Sequence, residues 1–196
     1  PLSRKSGRRL DAFPDRIDFR DWPYQPTLAP LPEALANCRL VPEVLDQGTE
    51  GACTGFALAA VINFLLAQRG GKGAVSPRML YEMARCHDEW PGESYEGSSA
   101  RGGMKGWARH GVCPRTLWPD EAHGRSVLTD TIAKAALGIP CGAYYRVKQR
   151  EVRDVHAALA ETGIVYATLM VHEGWDKPGP RSVAVREGKA SRRLPV

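Results

Sequence analysis

The amino-acid sequence predicts an α+β fold, and three observations carry that prediction. Residues 52–67 form an apolar run of helical length. Beyond Thr129 the pattern changes to strand, helix and strand. The 20 Gly and 15 Pro among 196 residues supply more turns than a simple helical bundle uses. A hydrophobic fraction of 43% and a charged fraction of 25% are those of an ordinary globular protein, which sets aside disordered, collagen-like and membrane-spanning classes.

Taken in order, residues 1–16 read as a basic tail or leader remnant. Residues 17–42 contain Pro23, Pro26, Pro30, Pro32 and Pro42 and predict an extended connection with one helical turn at 33–38. The glycine-bearing loop VLDQGTEG at 44–51 runs into the apolar helix, which Gly70, Gly71 and Gly73 stop. Ser76 and Pro77 form an N-cap and a first helical residue, so a second helix starts there with Met79, Leu80 and Met83 on one side. A third helix is predicted at 103–110, ended by Gly111, followed by a loop at 112–122. The last part predicts a strand at 143–147, a helix at 150–161 with Val152, Val155 and Leu159 on one face, and a strand at 164–171. The expected division is a helical domain over 17–125 and a β-rich second domain over 126–196.

The net charge of +5 is a property of the ends. Residues 1–9 carry four basic residues and no acid, and residues 181–196 carry five basic residues and one acid, which leaves 18 basic and 21 acidic residues between them. A nucleic-acid-binding body is therefore not expected. Residues 57–67 are too short to cross a bilayer and contain Asn63, so no membrane span is expected. Cys38, Cys53, Cys86, Cys113 and Cys141 are odd in number and lack CxxC spacing, so no zinc site or other metal or cofactor is implied and at least one thiol should be free.

Cys53 carries the chemistry. At the entry to a buried helix, unpaired backbone amides and the helix dipole favour thiolate over thiol. Gln47, six residues earlier, brings a side-chain amide that can join the Cys53 N–H as an oxyanion donor. Gly48, Gly51, Ala52 and Gly55 leave room for a substrate carbonyl.

The stretch Gln47-Gly-Thr-Glu-Gly-Ala-Cys53-Thr-Gly-Phe56 resembles the QGxxGxCxxF segment of papain-like cysteine peptidases. Further similarities follow in the same order. Residues 17–20 (IDFR) are similar to the family's mature N-terminal V-D-W-R, and Ser76-Pro77 to its L-S-P helix start. Gly102-Gly103 resemble its paired glycines that hydrogen-bond substrate as an extended strand. Residues 110–119 are similar to its N-G-I…Y-P stretch, and 163–171 to the first strand of its second domain. The resemblance implies a helical domain beside part of an antiparallel β-barrel-like domain, with Cys53 as nucleophile, Gln47 as oxyanion donor, Gly102 and Gly103 as substrate-binding residues, and a peptide or protein as substrate.

Departures from the pattern are informative. Glu50 stands where many members have a disulfide-forming cysteine, which suits a reducing compartment or a bacterial-type branch, and Thr54-Gly55 replaces the usual Trp-Ala. The family's His and Asn follow the cysteine by about 130 to 150 residues, which puts them at roughly 183 to 203. No histidine follows His172, so both are expected beyond Val196. His172 is the nearest substitute, while His87, His110, His123 and His156 are expected to be solvated or capping groups. A possible pro-segment, or a second chain that completes the site, is the expected partner. The alternatives are a catalytically inactive peptide-binding protein on the same fold and one chain of a split enzyme.

Overall fold

The computed structural model describes residues 11–15, 18–27, 29–35, 43–88, 96–124, 127–148 and 150–171. Helix α1 (Cys53–Gln68) forms where the apolar run predicts it. Because that run is apolar all round, the helix is stable only when covered on most sides, and Leu58, Ala59, Ile62 and Phe64 are all buried. Each large side chain among these contributes about 1.5–3 kcal/mol on burial. The polar residue Asn63, in the middle of the helix, is also buried. Its Oδ1 accepts the Val75 amide at 2.9 Å, so the amide group is satisfied and clasps α1 to the chain entering the next helix.

Helix α2 (Pro77–Cys86) starts as predicted, with the Ser76 side chain accepting the Met79 amide at 3.0 Å and Pro77 at its first position. The same hydroxyl donates to the Trp118 carbonyl at 2.6 Å, so one residue both caps the helix and holds the following loop. Helix α2 packs against α1 on one side and against helix α3 (Ala100–His110) on the other. The approach to α1 is close at Gly55, where a side-chain carbon would lie 2.6 Å from the Pro77 carbonyl and from Tyr81 Cβ. Glycine there is a packing requirement, and it accounts for one of the two departures after Cys53. Helix α3 begins three residues before the predicted start because Ser99, whose side chain accepts the Gly102 amide at 2.9 Å, is its cap; Gly111 ends it as predicted.

Helix α4 (Asp130–Ala136) lies where the sequence pattern predicts no element. Thr129 caps it, and Ile132 and Ala136 pack with Met79, Met83, Cys113 and Trp118 in a second core behind α2. Helix α5 (Val152–Thr162) matches the predicted helix. Asp154, Ala157 and Ala158 are its buried residues and Val155 and Leu159 are half-buried, whereas Val152 is 81% exposed.

The strands differ most from expectation. The ladder that forms joins β1 (Ala12–Phe13) and β2 (Ser98–Ser99) in parallel, Ala12 opposite Ser98 and Phe13 opposite Ser99, and neither was predicted. The expected strands at 143–147 and 164–171 form no ladder among the described residues. Arg146 makes an isolated bridge with Pro23, with Tyr24 N donating to Arg146 O at 3.0 Å and Arg146 N to Trp22 O at 2.8 Å. A strand exists only with a paired neighbour, and among the described residues neither segment has a full one; Tyr145, Leu169 and Met170 remain more than half exposed. The described structure is thus a helix-rich α+β fold, without the antiparallel barrel-like part. Of the predicted turn at 33–38, residues 33–35 are not helical and 36–38 lie outside the described residues. Among the described residues no helix is long and apolar enough to cross a membrane.

Candidate active site

Cys53 is the first residue of α1, following Ala52 as N-cap. The loop before it is fixed at both ends. Leu45 packs against Ala52, Phe56 and Tyr81, and Asp46 Oδ1 accepts the Gly48 amide at 2.9 Å to turn the chain toward Gln47. The Gln47 carboxamide donates to the Glu50 carbonyl at 2.6 Å. A primary amide has two N–H donors, so one remains for another acceptor.

The thiol itself sits differently from the sequence expectation. Burial pushes its pKa up, and the Asp11 carboxylate adds to that, while the backbone amides of Thr54, Asp11 and Cys53 pull it down. Helix-start donors are present, as expected, but desolvation outweighs them here. Among the described residues no imidazole hydrogen-bonds the Cys53 sulfur: His87 and His110 face each other, Nε2 to Nε2 at 2.7 Å with stacked rings, and His123 Nδ1 lies 2.9 Å from Glu50. These three are therefore not simply solvated. His172 lies outside the described residues.

Gly102 and Gly103 do not form an extended edge. Both are buried within α3, and the Gly102 amide is committed to Ser99 Oγ. The extended backbone in this neighbourhood is Ser98–Ser99, just upstream. It is fastened to the cysteine helix by the Thr54 hydroxyl, which hydrogen-bonds the Ser98 hydroxyl. Tyr166 reaches in from the far segment, its hydroxyl donating to the Thr54 carbonyl at 3.0 Å. Sequence reasoning missed Ser98, Thr54 and Tyr166 because each contact joins residues far apart in the chain.

The N-terminal segment lies over this arrangement. With β1 paired to β2, Asp11 meets the cysteine loop so closely that a side-chain carbon at Gly51 would fall 2.5 Å from Asp11 Oδ2. The segment continues into an ion-paired anchor. Buried Arg101 donates its backbone amide to Asp15 Oδ1 at 3.0 Å and its guanidinium to both oxygens of Asp21, with Arg146 Nη1 3.3 Å from the latter. The Arg101 guanidinium holds the Asp21 carboxyl below its usual range.

These features make up a buried helix headed by a cysteine, an amide-bearing loop before it and an extended strand beside it. Solved structures with the same fold are papain-like cysteine proteases. One is xylellain, a cysteine protease from Xylella fastidiosa, at 29% identity and a TM-score of 0.65 over 77% of this chain. Another is digestive procathepsin L 3 of the Tenebrio molitor larval midgut, at 21% identity and a TM-score of 0.59 over 71% of this chain. The chain spans 62% of the first structure's length and 44% of the second's. No protein-family model and no curated protein matches it.

Proposed function

We propose that the chain carries the nucleophile side of a papain-like cysteine peptidase. In this reading Cys53 Sγ attacks a peptide carbonyl carbon, and the Cys53 amide together with the second N–H of Gln47 stabilises the oxyanion. The C–N bond then breaks, the amine departs with a proton from an imidazolium, and water hydrolyses the thioester to return the thiolate. The imidazole comes from outside the described residues. The observation that carries the reading is Cys53 at the head of a buried helix, in a fold shared with a cysteine protease at 29% identity.

An extended substrate would lie along Ser98–Ser99, the edge that β1 occupies here, in place of the pairing expected at Gly102 and Gly103. By the same reading the segment around Asp11 acts as a covering pro-segment, in line with the zymogen neighbour. Cys53→Ala should abolish peptide hydrolysis by the source protein, measured with a fluorogenic peptide, and normal turnover by that variant would reject the peptidase reading.

A further inference from the structure

Glu50 is tied to its surroundings through both its backbone and its side chain. Its carbonyl accepts the Gln47 carboxamide at 2.6 Å. Its carboxylate receives Arg78 Nη2 on Oε2 at 2.5 Å and faces His123 Nδ1 across 2.9 Å on Oε1. Arg78 is a firm anchor: it projects from the first turn of α2, is 3% exposed, and donates Nε to the Asp120 carbonyl at 2.9 Å. Asp120 is itself paired with Arg115 at 2.5 Å. Two elements distant in sequence, α2 and the 115–124 loop, therefore converge on a single carboxylate in the loop before Cys53.

We propose that Glu50 is a positioning residue for the oxyanion donor: Arg78 and His123 fix its carboxylate, and its carbonyl thereby aims the Gln47 carboxamide. This rests on the reading of Gln47 as oxyanion donor given above. The Glu50–His123 contact by itself would add little to stability, because those side chains are 34% and 57% exposed, whereas the Arg78 side chain is 4% exposed and needs its carboxylate partner. A donor in an oxyanion hole, by contrast, must be placed to within a fraction of an ångström before the reaction begins.

The test uses Glu50→Gln, which keeps an acceptor for Arg78 and removes the charge. In the full chain, the Gln47 carboxamide resonances, assigned by their loss in Gln47→Ala, should shift and exchange faster with solvent. In the active protein kcat should fall about tenfold at unchanged KM, and the substitution should have no further effect in a Gln47→Ala background. Arg78→Lys, which keeps the charge but loses the fork, should move the same resonances and serves if Glu50→Gln does not fold. Unmoved Gln47 resonances in both variants overturn the proposal whatever the activity, as does a kcat loss that multiplies with that of Gln47→Ala. Moved resonances without any Cys53-dependent hydrolysis uphold the positioning role and overturn the peptidase reading instead.

Discussion

Two segments meet at Cys53, and they are held there by different physics. The loop at 45–53 is continuous with α1, buries Leu45 against Ala52, Phe56 and Tyr81, and is tied by Glu50 to buried Arg78. The described residues of the segment at 11–21 are held by two paired residues and by carboxylates on Arg101 and Arg146, while Phe19 within it and Trp22 just beyond it stand 96% and 71% exposed. Apolar burial that is part of the core is lost only when the domain unfolds, whereas a short strand and a few ion pairs can open locally. The first segment is thus built into the site, and the second is laid over it.

The largest effect that separates them is on stability. Leu58→Ala, in the core that carries α1, should cost about 2–5 kcal/mol in urea denaturation. Deletion of residues 1–16 should leave that midpoint nearly unchanged, and a large loss on deletion would show the segment to be structural. The next effect concerns access. Releasing a few hydrogen bonds worth about 1 kcal/mol each should raise the rate of Cys53 alkylation by about tenfold to a hundredfold in the deleted chain. An unchanged rate, followed by mass spectrometry of the modified peptide, would mean that the segment does not cover the thiol.

The smallest effect is in the pH dependence. With its pKa raised by burial, Cys53 of the intact chain should alkylate slowly at pH 6 and accelerate as pH rises beyond the usual thiol range. Deleting the segment removes the Asp11 amide and carboxylate, whose effects on the thiol oppose each other, together with some of the burial, which is the largest cause, so the profile should move toward lower pH. The Asp21 anchor behaves in the opposite sense. A carboxyl held below 3.8 contributes stability that is present above that value and is lost only as pH falls below it, so mild acid should not free the segment.

What the sequence made legible follows the range of the forces involved. Helices α1, α2 and α3 announce themselves through local signals: an apolar run, Ser76 before Pro77, and Gly111 after His110. Helix α4 carries a comparable capping signal in Thr129 and Asp130, but its seven residues are too few for a clear apolar period. The strands were misplaced because pairing is decided by partners far away: Ala12 finds Ser98, whereas 164–170 makes no ladder among the described residues. In the site, Cys53 and Gln47 stood out as residue types in a short motif. The grip of Arg78 on Glu50, the link from Thr54 to Ser98 and the approach of Asp11 span 28, 44 and some forty residues, and no local pattern encodes them.

The hydroxyl link between Thr54 and Ser98 has a metrical consequence. Thr54 is the residue after the cysteine, and Ser98 begins the extended edge, so the sulfur and the edge share one fixed separation. In the peptidase reading proposed above, a chain laid along that edge would be measured from the sulfur in whole residues of about 3.3 Å. In that reading selectivity would be counted by position along the bound chain, and Thr54→Val or Ser98→Ala would loosen the origin of the scale before it altered any pocket.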